Sequence, residues 1–331
     1  MILEPKLKIQ TVEDISFEGH GDMSILDSAL SSGHVFEYSC KNGQCGVCKT
    51  ALIEGDVVEI QPQIALTEKD RKQQNILTCC CAPKTDIIID AEELSALEGI
   101  EVKTLPVRIH TIEQVSEHIV AVQLRLPPSA DLKFLEGQFI DVLACGVRRS
   151  YSIASAANEQ FLTLYIKKLE GGVLSQYWFH DAKKNDLIRI EGPKGSFFFR
   201  EPKKKVVFLA TGTGIAPVKA ILDKLESQAE MYEHVSISLL WGNRYMDDFF
   251  WQPSYAKLKL NFVPVLSRPQ AQWGGQTGYV QDAFFIAENT SLELTQVYAC
   301  GSLQMIQSAS EKLMQKGLNK KCFYADAFVS S

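Results

Sequence analysis

Cys40-Lys41-Asn42-Gly43-Gln44-Cys45-Gly46-Val47-Cys48 spaces three thiols as C-x4-C-x2-C. A further thiol follows after a 30-residue gap, in Ile76-Leu77-Thr78-Cys79, where Cys80 and Cys81 continue the run. Three thiolates on one tight loop and a fourth from a distance suit a [2Fe–2S] cluster. Two thiolates hold each iron, and soft sulfur matches the soft metal. Gly43 and Gly46 fit, because such a loop must turn sharply and point backbone N–H groups at sulfide. A zinc site is the alternative, but zinc prefers paired C-x2-C knuckles and only one is present. Upstream, Ser24 is an N-cap for a helix over residues 25–32, ended by Gly33.

The rest of the chain narrows the function classes. Its 331 residues suggest two or three domains. With 46% hydrophobic and 22% charged residues, it has ordinary globular composition. A net charge of −6 disfavours a nucleic-acid partner, which calls for a basic face. No run of about 18 apolar residues predicts a membrane span. Residues 1–10 alternate like a strand and lack the apolar core of a signal peptide. Six of the nine cysteines fall between Cys40 and Cys81, which in a chain without a leader points to metal or redox chemistry rather than disulfides. A cytoplasmic location is expected. Lys203-Lys204-Lys205 reads as a solvated turn before a strand, with a phosphate contact as the alternative.

Three blocks emerge, at 1–98, 103–202 and 203–331, with a polar linker over residues 95–104. The middle block holds short strands at residues 106–112, 119–126, 138–143, 161–167 and 187–191, punctuated by turn residues. That predicts an antiparallel barrel or sandwich. In the last block, apolar runs at 206–210, 235–241, 261–266 and 297–299 alternate with helical patterns, predicting a parallel α/β sheet.

Arg149-Ser150-Tyr151-Ser152 is R-x-Y-S. Two steps along a strand put Arg149 and Tyr151 on one face, where a guanidinium can fork onto phosphate and a phenol can lie along a ring. Tyr165-Ile166-Lys167 and Gly171-Gly172-Val173-Leu174-Ser175 follow. The paired glycines let backbone N–H groups approach a pyrophosphate at a helix start. Gly192-Pro193-Lys194-Gly195 is either part of this site or a plain turn. Further on, a buried-strand run feeds Thr211-Gly212-Thr213-Gly214-Ile215-Ala216-Pro217 and a helix to about Ser227. Strand, glycine turn and helix start make a phosphate cradle. Pro217 replaces the last glycine of G-x-G-x-x-G, which argues against an ordinary dinucleotide-binding dehydrogenase. Proline is tolerated in a first helical turn.

In this order the segments resemble the ferredoxin–NADP reductase superfamily, with an N-terminal plant-type [2Fe–2S] domain. The resemblance implies a β-grasp ferredoxin-like domain, an antiparallel β-barrel FAD domain and an α/β NAD(P)-binding domain. It implies Cys40, Cys45, Cys48 and Cys79 as metal ligands, Cys79 following the Leu-x step of plant-type ferredoxins, with Cys80 and Cys81 as packing residues. FAD falls to Arg149, Ser150, Tyr151, Ser152, Ile166, Lys167, Gly171, Gly172, Val173, Leu174 and Ser175. The nicotinamide coenzyme falls to Gly212, Thr213, Gly214, Pro217, Arg244, Ser267, Arg268, Cys300 and Gly301. Cys300, in Tyr298-Ala299-Cys300-Gly301-Ser302, would line the hydride path, and Phe328 would cover the flavin. The six histidines receive no catalytic role.

The order ferredoxin, FAD, NAD is shared by reductase components of multicomponent oxygenases. A closer likeness is to the CDP-6-deoxy-3,4-glucoseen reductase family. It rests on Ile76-Leu77-Thr78-Cys79-Cys80, Arg149 to Ala154, Arg189-Ile190-Glu191-Gly192-Pro193, Ala216-Pro217-Val218-Lys219, Tyr298 to Ser302 and Asp326-Ala327-Phe328. That likeness implies hydride transfer from NADH to FAD, then single electrons through the cluster to a pyridoxamine-phosphate dehydrase. An oxygenase component is the alternative acceptor, and a non-enzymatic iron–sulfur sensor the alternative class. Ser267-Arg268 resembles a pair that reads the 2′-phosphate of NADPH, while Asp247 and Asp248 would repel that phosphate. NADH is therefore expected, with NADPH as the alternative.

Overall fold

The computed structural model describes residues 6–287 and 291–328. It divides into two compact units. Among the described residues, the first comprises residues 6–100 with Gly195–Phe197; the second comprises Glu101–Lys194 and residues 198–287 and 291–328.

The first unit orders its strands around the cysteine loop. In chain order it has β1 (Leu7–Thr11), β2 (Ser16–Gly19), α1 (Ile25–Ser31), β3 (Lys49–Glu54), β4 (Val57–Glu59), α2 (Glu68–Lys72), β5 (Asn75–Leu77), β6 (Cys81–Pro83) and β7 (Ile87–Ile89). A five-stranded sheet runs β2-β1-β7-β3-β5, with β1 and β7 parallel and the other pairs antiparallel. β4 and β6 pair separately. Alternation along β1 buries Ile9 against Ile25, Ile87 and Ile89. Each such side chain contributes about 1.5–3 kcal/mol on full burial. Ser24 caps α1 by accepting from Asp27 N at 2.9 Å, and Gly33 (φ 85°) follows it, as expected.

The second unit begins with β8 (Lys103–Ser116), β9 (Ile119–Arg125), β10 (Phe139–Ala144), β11 (Val147–Ser152), β12 (Leu162–Lys167), the single turn α3 (Val173–Gln176) and β13 (Leu187–Lys194). They form an antiparallel sheet in the order β11-β10-β13-β8-β9-β12. A bridge between Ile153 and Leu164 joins its two edges, so the sheet curls on itself. Inward residues such as Val122, Ile140, Leu164 and Trp178 fill the interior.

The same unit continues with β14 (Lys205–Thr211), α4 (Ile215–Ser227), β15 (Ser236–Asn243), β16 (Leu260–Leu266), β17 (Gln276–Thr277), α5 (Val280–Ala287), β18 (Thr295–Ser302), α6 (Leu303–Gln315) and β19 (Phe323–Phe328). All six strands are parallel, in the order β17-β16-β15-β14-β18-β19. Residues 206–210 are buried throughout, because a central parallel strand is covered on both faces.

Two local expectations change. Lys205 is not part of a solvated turn: it opens β14, is buried, and burial lowers its pKa. It pairs with Ser236 of β15 on one side and Thr295 of β18 on the other, which takes it out of water. The linker also ends early, since β8 already starts at Lys103 and Leu97 is buried.

Candidate functional site

The cysteine loop is built by backbone that only certain residues tolerate. Lys41, Gly43 and Gly46 adopt φ of 57°, 77° and 74°. At Gly43 a Cβ would lie 2.2 Å from Pro62 O and 2.8 Å from Cys80 Sγ, so nothing larger fits. The segment over residues 60–65 straps onto this loop: Ala65 N donates to Gly43 O at 2.9 Å, and Gln61 Nε2 donates to Cys79 O at 2.5 Å.

The four expected sulfurs approach as two pairs. Cys48 Sγ lies 3.3 Å from Cys79 Sγ, and Cys45 N donates to Cys40 Sγ at 3.4 Å. The hydrogen bond from the Cys45 thiol pulls Cys40 down to about 6. Its own bond to Cys40, together with burial, pushes Cys45 up. Among the described residues, no three His, Cys, Asp or Glu side chains close around one point as a single metal ion would need. Two thiol pairs on a glycine loop fit a binuclear cluster with two sulfurs per iron. Cys80 Sγ stands 3.5 Å from Cys79 Sγ but turns toward Pro62 O at 3.6 Å, and burial pushes its thiol up to about 11. Cys81 packs with Ile9 and Ile87 in the core.

In the second unit, β11 carries R-x-Y-S with its residues split between two faces. Arg149 is exposed, and its Nη1 donates to Arg148 O at 2.7 Å. Tyr151 meets Trp178 edge-on at 6.5 Å, and burial raises it to about 12. The other face is an ion network that sequence reading did not assign. Buried Asp141 accepts from Ser150 Oγ at 2.6 Å, Lys194 Nζ at 2.7 Å and Arg148 Nη1 at 3.0 Å. Glu191 takes a forked bond from Arg148 at 2.6 and 3.0 Å. Ser150 and Lys194 thus stiffen β11 from one side, while Arg149 and Tyr151 lie on the opposite face.

Other expected flavin residues divide. Gly171 (φ 71°) and Gly172 lead into α3, with Gly172 its N-cap. Ser175 Oγ is taken by Leu169 N at 2.8 Å, and Val173 is exposed. Lys167 is exposed at the end of β12. Ile166 and Leu174 point into the barrel core, so their side chains are packing residues.

The glycine turn and the Cys300 turn interlock. A Cβ on Gly214 would lie 2.3 Å from Cys300 O, and one on Gly301 (φ 137°) would lie 2.1 Å from Thr211 Oγ1. Gly212 adopts φ 55°, its carbonyl accepting from Trp241 Nε1 at 3.0 Å. Thr213 and Pro217 are buried. At the ends of β15 and β16, Ser267 N donates to Asn243 O at 3.0 Å and Arg268 N to Arg244 O at 3.2 Å, which brings Arg244, Ser267 and Arg268 together. Arg268 Nη1 also reaches Tyr245 OH at 3.2 Å. Phe328 ends β19, opposite Ser302 and partly exposed.

Asp326 is the residue that sequence reading quoted without a role. It is 5% exposed, and its Oδ2 lies 3.4 Å from Ser152 Oγ and 3.9 Å from Cys300 Sγ. Burial, then the Asp326 charge, raises the Cys300 thiol well above its ordinary range, which keeps it neutral. An acid inside a strand otherwise written Ala325-Asp326-Ala327 was the available signal.

Comparison with known proteins matches three families along this chain: 2Fe-2S iron-sulfur cluster binding domain over 9–84, oxidoreductase FAD-binding domain over 106–199, and oxidoreductase NAD-binding domain over 208–311. The chain is 40% identical over 96% of its length, and 96% of the relative's, to CDP-6-deoxy-L-threo-D-glycero-4-hexulose-3-dehydrase reductase of Yersinia pseudotuberculosis serotype I. The chain belongs to the ferredoxin–NADP reductase-like family of [2Fe–2S] flavoprotein reductases. This reductase is also 31% identical to phenol hydroxylase P5 protein of Acinetobacter pittii, over 97% of its own chain and 94% of the relative's. In fold it resembles the ferredoxin reductase in carbazole 1,9a-dioxygenase, with TM-score 0.68, 24% identity, and coverage of 98% of this chain and 99% of that one. It is an NAD(P)H-dependent oxidoreductase of the NAD(P)H, FAD, [2Fe–2S] electron-transfer type. No helix among the described residues is long and apolar enough to cross a membrane.

Proposed function

We propose that this reductase takes electrons from NADH and delivers them singly to the dehydrase that deoxygenates carbon 3 of a CDP-hexulose. The observation that carries this reading is the 40% identity, over 96% of both chains, to the reductase of that dehydrase. The relative of similar length in Salmonella typhimurium, protein RfbI, is 38% identical. An oxygenase component is the second reading, favoured by the 31% identity to phenol hydroxylase P5 protein. The reading places the reductase in the cytoplasm, with modules at 1–98, 103–202 and 203–331.

The bound groups supply conversion of a two-electron hydride donor into single electrons. The residues of this chain supply position. Cys40, Cys45, Cys48 and Cys79 would hold the cluster. Arg149 would fork onto the FAD pyrophosphate, with Ser150 and Tyr151 holding the strand and the ring. Gly212 and Gly214 leave the backbone bare for the coenzyme, since a side chain at Gly214 would strike Cys300. Ser152, Cys300 and Asp326 form a buried polar corner where the flavin-binding and coenzyme-binding segments meet. Cys300 stays a neutral thiol there, and Asp326 orients both neighbours.

An anaerobic NADH titration of the purified protein, followed by visible absorption and EPR, tests the electron route. Flavin bleaching together with a reduced [2Fe–2S] signal is expected; flavin bleaching without a cluster signal overturns it. Mixing with the purified dehydrase and its CDP-hexulose substrate then tests the acceptor. NADH consumption coupled to deoxygenation is expected, and none would favour the oxygenase reading.

A further inference from the structure

The strap that carries the cysteine loop exposes apolar residues to water. Along residues 58–64 apolar and polar residues alternate in sequence, continuing past the end of β4 at Glu59 into a bend and a turn. Val58, Ile60 and Ile64 face water, at 41%, 42% and 64% exposure, and Pro62 between them is exposed too. The intervening polar residue Gln63 is 7% exposed and spent inside, accepting from Leu77 N at 2.7 Å and donating to Glu59. Folding explains the inward Gln63, which satisfies a backbone donor, but nothing in folding calls for an outward row of branched side chains.

Its place is specific. Ile60 N donates to Cys80 O at 2.9 Å, Gln61 Nε2 donates to Lys41 O at 3.1 Å and Cys79 O at 2.5 Å, and Gly43 touches Pro62 O. The row is therefore fastened to both segments that present the four cysteines. Electrostatics adds the partner's sign. In sequence, residues 1–100 hold eight basic against seventeen acidic side chains, a net −9, while residues 101–331 are +3.

We propose that Ile60, Pro62 and Ile64 are the docking surface for the electron-accepting protein, whose matching face is apolar and rimmed by basic side chains. This rests on the electron route above, but not on which acceptor protein is the physiological one. An apolar centre on a unit of net negative charge gives short residence with fast, steered encounter, as a one-electron carrier needs.

Cytochrome c, a basic haem protein with an apolar haem edge, is the probe. The balance is NADH + 2 ferricytochrome c → NAD⁺ + H⁺ + 2 ferrocytochrome c. The holoprotein carrying Ile60→Ser and Ile64→Ser is compared with wild type and with Ile64→Leu. We expect kcat/KM for cytochrome c to fall about tenfold through KM, and calorimetric affinity for ferricytochrome c without NADH to weaken about tenfold. Ferricyanide reduction and anaerobic cluster bleaching should be unchanged, Ile64→Leu should behave as wild type, and the wild-type rate should fall with salt. Unchanged cytochrome c kinetics and affinity overturn the proposal. So does slowed cluster bleaching, which would assign the row to electron entry, or a dimer that the serines dissolve, which would assign it to a second copy. A wild-type protein whose cluster NADH bleaches but which reduces no cytochrome c overturns it as well. Failure of NADH to reduce the wild-type cluster is a separate result, and sinks the electron route itself.

Discussion

Ser152 Oγ and Asp326 Oδ2 stand 3.4 Å apart although 174 positions of sequence separate them. Cys300 Sγ is 3.9 Å from the same carboxylate oxygen. Three polar side chains from β11, β18 and β19 thus converge where the glycine turn of the coenzyme site also packs. Asp326→Asn keeps the shape and removes the charge. The rate of flavin bleaching by NADH should fall about tenfold to a hundredfold, because misplacing groups around a hydride path is costly. FAD content should not change. Stopped-flow reduction of the variant checks this, and a rate within about twofold of wild type would remove Asp326 from the site.

That convergence marks the border of what the chain discloses when read linearly. The cysteine loop is legible because its chemistry is local: spacing, glycines and donor type all sit within nine residues. R-x-Y-S and the glycine turn are legible for the same reason, and the alternation of apolar runs reveals an antiparallel and then a parallel sheet. Asp326 is not legible as a partner of Ser152, since strand pairing alone brings them together. The ion network behind β11 escapes for the same reason, joining Asp141, Arg148, Glu191 and Lys194 from three strands. Ile166 and Leu174 sit inside flavin motifs yet fill the barrel core, because a motif does not say which atoms of a residue face the ligand.

The three consecutive thiols at 79–81 separate by direction. Cys79 faces Cys48, Cys80 faces Pro62 O, and Cys81 packs in the core. Cys79→Ser should abolish or damage the [2Fe–2S] absorption and EPR spectra, while NADH-to-FAD transfer continues. Cys80→Ser should retain the spectra. The reverse pattern would reassign the fourth ligand to Cys80.

Gly43→Ala tests the strap independently of the sulfurs. The new methyl would press on Pro62 O at a φ of 77°, a position strained for any side chain. Cluster loading, measured as iron and sulfide per chain, should fall while FAD per chain stays constant. Full loading would show that the loop and strap can part without cost to the site.

Coenzyme choice turns on the ends of β15 and β16. Arg268 engages Tyr245 OH, and Asp248 accepts from Tyr245 N at 3.2 Å, placing a carboxylate beside the Arg244 turn. A 2′-phosphate there would meet that charge. The kcat/KM for NADH should exceed that for NADPH, and Asp247→Asn with Asp248→Asn should narrow the gap. A preference of about tenfold for NADPH in the wild-type protein, roughly 1.4 kcal/mol, overturns this assignment.

The network behind β11 makes the second unit sensitive to acid. Forked bonding to Arg148, then the Lys194 bond, lowers Glu191 from 4.5 to about 2. Asp141 is also lowered: burial alone would raise it, but bonds from Lys194, Ser150 and Arg148 overcome that. A carboxylate whose folded pKa lies below its unfolded value stabilises the fold above the unfolded pKa, and that contribution is lost as pH falls through the folded one. The denaturant midpoint of the wild-type protein should therefore drop between about pH 4.5 and about pH 2. Glu191→Gln should be less stable than wild type at pH 7, with the gap closing as pH approaches 2. Lys194→Met should cost about 1–3 kcal/mol at neutral pH, because it strips one of three donors from a carboxylate that is 5% exposed. The same variant should release FAD more readily, since Ser150 and Arg148 would hold β11 with less support. A Glu191→Gln gap that stays constant from pH 7 to pH 3 would show that the network's charge contributes nothing, and that only its packing holds the strand.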